Sequence, residues 1–135
     1  MLFKIDTREK FHAITMKGPI LAANMTADLE NCLLPLLEKQ VKNVVLSMKD
    51  IVSVDVAAAE TVVKLQQAFY ERNASFVVFE LHPHVEQQLD EANLLELMNI
   101  TPTESEAWDI VQMEEIEREL MDEDDPVKGR PPTDL

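Results

Sequence analysis

The sequence predicts an α/β fold, a mixed β-sheet of about four to five strands with flanking α-helices. Three observations carry that prediction. Two short runs, Val44-Val45-Leu46-Ser47-Met48 and Phe76-Val77-Val78-Phe79-Glu80, are apolar and rich in β-branched or aromatic residues, as strands buried on both faces are. Stretches with helical spacing alternate with them, most clearly where Ala58, Val62, Leu65 and Phe69 recur at four, three and four residues. Near the N-terminus, residues 2–5 and 11–16 read as strands, and the polar segment 6–10 turns one into the other as a hairpin. A hairpin followed by alternating helix and strand gives a mixed sheet with helices packed on it.

The elements follow in order. Lys17-Gly18-Pro19 closes the hairpin, and Gly18 is the sole glycine before the C-terminal tail, which points to a special backbone angle or a close approach. Residues 21–25 cross over. Thr26 or Asn24 then caps a helix reaching to about Gln40, with Leu29, Leu33, Leu36 and Leu37 on its buried face. Pro35 lies inside that pattern and is expected to kink or divide the helix, because it removes one backbone donor. The strand at 44–48 is the central one. Residues 51–54 form a connection, and a second helix runs from Asp55 to Arg72, stopped by Asn73 in a left-handed conformation. After the strand at 76–80, His82-Pro83 opens a third helix with proline at its first position, Val85, Leu89 and Ala92 facing inward, and an end near Asn93. Residues 94–97 form a short helical turn and Ile100 a brief last strand. The final helix extends from Glu104 to about Met121, with Ala107, Trp108, Val111 and, furthest along, Ile116 as inner residues. The domain is expected over residues 1–112, an extension of its last helix over 113–121, and a disordered acidic tail over 122–135.

The charge distribution excludes several function classes. The net charge is −14, but residues 1–103 carry 14 acids against 9 bases, whereas residues 104–135 carry 12 acids against 3 bases. A mildly acidic domain with a strongly acidic end repels phosphate backbones, so no nucleic acid and no anionic membrane surface is expected as a partner. No run of about 18 apolar residues is present, so no membrane insertion is expected. The N-terminal residues lack the basic and apolar blocks of a signal peptide, and the single Cys32 falls in an apolar helical pattern as a packed thiol. These features favour a reducing, cytoplasmic setting. The acidic run 114–125 reads either as a solvated, solubilising segment or as an arm that binds a basic surface.

Candidate functional residues converge on the start of the second helix. Asp55 stands at its N-cap position, where the carboxylate is placed either to accept from the free amides of the first turn or to face a partner. Val56-Ala57-Ala58-Ala59 follows, either as tight helix-on-sheet packing or as a small apolar docking surface that lets a partner backbone approach closely. His82 and His84 flank a proline, too few ligands for a metal site, so no metal is expected. No nucleophile with a partner and no second acid–base pair can be assembled, and two glycines exclude a phosphate-cradling loop. No cofactor and no enzymatic activity are expected.

Five local segments in this order resemble the STAS domain, the SpoIIAA-like fold of bacterial anti-sigma factor antagonists, over roughly residues 3–112. Gly18-Pro19-Ile20-Leu21-Ala22-Ala23-Asn24 stands where the family tends to have a Gly-x-Leu-Asp segment. Val44-Val45-Leu46-Ser47-Met48 followed by Val54-Asp55-Val56-Ala57-Ala58 stands where it has a strand and then Asp-Ser-Ser-Gly opening a helix. Asn73-Ala74-Ser75-Phe76-Val77-Val78 replaces a Gly-Gly and strand. His82-Pro83-His84-Val85 and Ala92-Asn93-Leu94 are similar to its Ser-Pro-x-Val helix and closing Ser-Gly-Leu. The departures matter. A serine in the Asp-Ser-Ser-Gly word receives phosphate from an anti-sigma kinase in phosphorylatable members. That position is Ala57 here, its neighbour is Val56, the following glycine is Ala58, and Leu21 replaces the aspartate after Gly-x-Leu. Ala57 has no hydroxyl to phosphorylate, and Ser53 and Thr61 are misplaced to substitute for it.

The resemblance implies a non-catalytic protein-interaction module in bacterial regulation of transcription. Its implied partner is an anti-sigma factor (a kinase-like ATPase) or a related regulatory protein, contacting Asp55, Val56, Ala57, Ala58, Leu21 and Asn24. Two alternatives stand beside it: a cytoplasmic accessory subunit of a membrane transporter, and a small-ligand or nucleotide sensor at the Asp55 helix start. A homodimer through sheet or helix faces is compatible with the sequence.

Overall fold

Side chains alternate across a β-strand, so a strand apolar at every position is wanted on both faces of a sheet. The computed structural model, which describes residues 3–123, places two such strands at the centre. Strands β1 (Phe3–Thr7), β2 (His12–Met16), β4 (Val44–Ser47), β6 (Phe76–Phe79) and β7 (Ile100–Thr101) form one sheet in the order β1-β2-β4-β6-β7. The β1–β2 hairpin is antiparallel and every other pairing is parallel. All four residues of β4 and of β6 are buried.

Helices cover the two faces unequally. Val44 and Leu46 of β4, with Phe76 and Val78 of β6, point into the larger core under α1 (Thr26–Leu33), α2 (Val56–Glu71) and α3 (Pro83–Glu91). There Phe69 meets Phe76 edge to face, ring centroids 5.2 Å apart. Val45, Val77 and Phe79 point the other way, against Ala107 and Val111 of α4 (Glu104–Glu123). Phe11 and Trp108 close that smaller core at 4.9 Å.

Several sequence expectations are refined. Residues 20–21 and 53–54 are not plain connections: β3 (Ile20–Leu21) and β5 (Ser53–Val54) pair in parallel as a separate two-stranded ribbon. Two-residue strands are too short to show a period, and for that reason the pattern did not mark them. The helix expected to run to Gln40 divides as Pro35 requires. It ends at Leu33, and a 3₁₀ turn covers Leu34–Glu38, with Leu29, Leu33, Leu36 and Leu37 still buried. Neither Asn24 nor Thr26 caps α1; Met25 occupies the N-cap position and no side chain bonds there. Ile116, expected inward, is 54% exposed. Cys32 is half-buried against the larger core, and burial raises its thiol pKa. The expected tail lies largely outside the described residues.

Backbone details follow the residue types. Asn73 and Asn93 stop α2 and α3 with φ of 60° each, a conformation asparagine tolerates. Gly18 meets the second of its two expectations: a Cβ there would collide with the backbone carbonyl of Asp50. The hairpin exit and the loop after β4 thus approach each other more closely than any side chain permits.

Helix α4 is anchored by polar groups as well as by Val111. Glu114 accepts from the Tyr70 hydroxyl at 2.8 Å and from Ser75 Oγ at 2.6 Å. Asn43 Nδ2 donates to Glu115 at 2.8 Å, and Arg118 donates to Ser75 Oγ at 3.3 Å. Asn99 Nδ2 donates to the Tyr70 oxygen at 2.6 Å. Asn43, Ser75 and Asn99 immediately precede β4, β6 and β7, so this network gathers the entry ends of three parallel strands beneath one helix.

Candidate functional site

The candidate site lies beyond the opposite, exit end of β4. The chain leaves β4, passes Gly18 at the close approach and enters β5. The Val52 amide donates to Pro19 O at 2.7 Å and the Asp55 amide to Leu21 O at 2.9 Å, which extends the ribbon on either side of its two paired residues. The chain then turns into α2, whose first helical bond runs from the Ala59 amide to the Asp55 carbonyl at 3.0 Å. Asp55 has the extended backbone of an N-cap, φ −85° and ψ 147°, yet its side chain makes no capping bond. Instead Asp55 Oδ2 accepts from the Ala23 amide at 2.8 Å, across 32 residues of sequence. This corrects the cap expectation. The carboxylate ties down the turn Ala23–Met25, and the first amides of α2 are left without that acceptor.

The other expected site residues separate by burial. Val56 is 53% exposed, and Ala57, Asn24 and Asp55 are also exposed. Leu21 is 1% exposed and Ala58 is fully buried, so neither side chain is available to a docking partner; they hold the ribbon and the helix against the larger core. Ala59 is buried with them, so the second half of the four-residue run packs against the larger core. The surface that remains is one carboxylate beside a small apolar step.

Neighbours not marked by the sequence enlarge that surface. Ile20 and Val52, on the adjoining ribbon, are 49% and 44% exposed. A cleft of about 260 Å³ opens beside Val56, lined by Val54, Ala59, Gln88, Leu89 and Ala92. Gln88 fixes its wall: Oε1 accepts from the Val54 amide at 2.9 Å and Nε2 donates to Ser53 Oγ at 3.2 Å. A glutamine on an exposed helix face carries no distinguishing sequence signal, and only the packing of α3 against β5 reveals its role. Larger hollows exist along α4, between Arg8 and Trp108 and between Lys42 and Arg118, but both are open troughs bordered by residues already paired with one another.

The hydroxyls near the helix start are occupied. Ser53 accepts from Gln88, and Thr61 Oγ1 donates back to the Ala57 carbonyl at 3.1 Å. His82 Nε2 donates to the Lys49 carbonyl at 2.8 Å, whereas His84 is exposed on α3. Among the described residues, no three His, Cys, Asp or Glu side chains are grouped to hold a metal ion. No described helix is long and apolar enough to cross a membrane.

Known structures share this architecture. A protein from Thermotoga maritima described as a candidate anti-sigma factor antagonist superposes with a TM-score of 0.72 at 20% identity, covering 82% of this chain and 94% of that one. The anti-sigma factor antagonist SpoIIAA in its unphosphorylated form gives 0.65 at 15% identity, covering 82% and 96%. The murine anion transporter Slc26a9 gives 0.65 at 14% identity, covering 76% of this chain and 18% of the transporter. No curated protein sequence matches. The family model for the STAS domain matches residues 3–107, which span the whole sheet and its α1–α3 cover. On that match the chain belongs to the STAS domain family.

Proposed function

We propose that this protein is a non-catalytic docking module that binds a regulatory protein, of the anti-sigma factor type, through the start of α2. The observation that carries the reading is the pairing of exposed Val56 and Ala57 with the Asp55 carboxylate on a STAS fold. A small apolar step lets a partner backbone approach, the adjoining cleft receives one apolar side chain, and the carboxylate offers a cation or an N–H donor an acceptor. Ala57 stands where the resemblance puts the phosphate-accepting serine, and it carries no hydroxyl. Binding is therefore governed by the amount of this protein or by the state of its partner, rather than by phosphorylation at this position.

The test is affinity capture from native cell extract with wild-type protein and the Asp55→Arg variant side by side. A kinase-like ATPase or other sigma regulator captured by the wild type and lost with Asp55→Arg supports the reading. A captured set unchanged by the substitution removes the helix start from the interface. One observation favours a second reading: structures of transporter-associated domains share the fold, among them a sulfate transporter family protein from Wolinella succinogenes with a TM-score of 0.67. Capture of transporter components would identify an accessory subunit instead.

A further inference from the structure

Helix α4 carries an apolar face that none of the described residues covers. Met113, Ile116 and Leu120 recur at three and four residues, which stacks them on one side of a helix. They are 61%, 54% and 54% exposed, and they lie on the side away from Ala107 and Val111, which pack on the sheet. The inner side of these same turns is held to the domain. Glu114 and Glu115 precede Ile116 and Arg118 follows it, and each is hydrogen-bonded to a residue of the strand-entry network. The stripe is thus presented by a fixed helix. Single exposed apolar residues are ordinary, whereas three in helical register on one anchored face form a patch.

The border of the patch has one sign. Asp109, Glu117 and Glu119 are exposed and form no ion pair among the described residues. A second copy of this chain laid along the stripe would bring one carboxylate border against another, whichever way it ran. An anionic lipid surface meets the same repulsion. A helix with apolar residues at matching spacing and Lys or Arg beside them satisfies both the stripe and its border. We propose that the outer face of α4 docks a basic amphipathic helix of a partner protein across Met113, Ile116 and Leu120. The second reading of the acidic run, a basic-surface-binding arm, thereby gains a geometry, and the site is separate from Asp55.

The test uses the full chain and two labelled synthetic peptides of about 15 residues, a length that permits helix formation on binding. One places Leu and Lys in amphipathic helical order; the other has the same composition scrambled. The ordered peptide is expected to bind about tenfold tighter than the scrambled one by fluorescence anisotropy. The double variant Ile116→Ser/Leu120→Ser, substituted at solvent-facing positions, is expected to erase that difference while circular dichroism stays unchanged. Asp55→Arg is expected to preserve it, so the two proposals stand or fall separately. Equal binding of the peptides, no binding, or a difference that survives the double variant overturns the proposal. Sedimentation of the chain alone supplies the other arm: a dimer dissociated by the double variant would make a second copy the occupant and overturn it as well.

Discussion

Asp55 and Tyr70 show how far a residue's role depends on what the fold brings near it. Asp55 was legible as the residue at the start of a helix, because an aspartate before a helical repeat has few other reasons to be there. Its partner was not legible, since the Ala23 amide arrives from 32 residues away and backbone donors leave no mark in a sequence. Tyr70 lies near the end of α2 and carries no distinguishing mark in the sequence. In the structure its hydroxyl meets Glu114 and Asn99, and burial, followed by the hydrogen bond and charge of Glu114, raises its pKa above the ordinary tyrosine value. A raised folded-state pKa in an acid that is neutral when protonated favours the protonated form. The associated stability is present in full below the unfolded value of about 10 and is lost as pH rises beyond it. Tyr70 is the single tyrosine of the chain, so absorbance titration near 295 nm reports it alone. The midpoint is expected above that of free tyrosine, and Tyr70→Phe is expected to flatten the alkaline fall in urea-unfolding stability attributable to this group.

At the scale of elements, the long repeats were readable and the short ones were not. The β4 and β6 runs and the α2 spacing all stand in the fold, because burial on both faces or on one helical stripe leaves an apolar pattern several residues long. The β3–β5 ribbon carries two residues per strand and escaped that test. Pro35 announced a break without saying which side would remain α-helical. Gly18 announced a constraint whose nature appeared only when Asp50 came beside it. The ribbon and the loop after β4 depend on that approach, and a methyl group there meets backbone, which cannot rotate away. Gly18→Ala is therefore expected to destabilise the protein by about 2 kcal/mol or more, in the range of overpacking substitutions. A urea-unfolding midpoint equal to wild type would show that the two loops separate without cost.

For the whole molecule, the charge split along the chain was plain in the sequence, but its structural consequence was not. Residues 113–121, expected as an extension of the last helix, include Glu114, Glu115 and Arg118, which bond to Tyr70, Ser75 and Asn43. Part of the acidic run thus belongs to the fold. Polar residues on a charged helix read as solvated until their partners, far away in sequence, are seen. Ending the chain after Gln112 removes those three side chains and strips Ser75 and Tyr70 of their carboxylate acceptor. With net hydrogen bonds at about 1 kcal/mol each, the truncated chain is expected to lose about 2–4 kcal/mol by urea unfolding. An unchanged midpoint would assign the network no part in stability.

The sheet separates the α2 start from α4: one packs in the larger core and the other against the opposite face. If both proposed surfaces are used, an occupant of one would not obstruct the other, and a single copy would join two different proteins. Bridging of this kind has a bell-shaped dose response. Joined complexes increase until the bridge matches its partners in number, then decline as surplus copies occupy each partner separately. A module without a phosphate-accepting hydroxyl at its helix start would thus be tuned by its own abundance, and making too much of it would have the same effect as making too little.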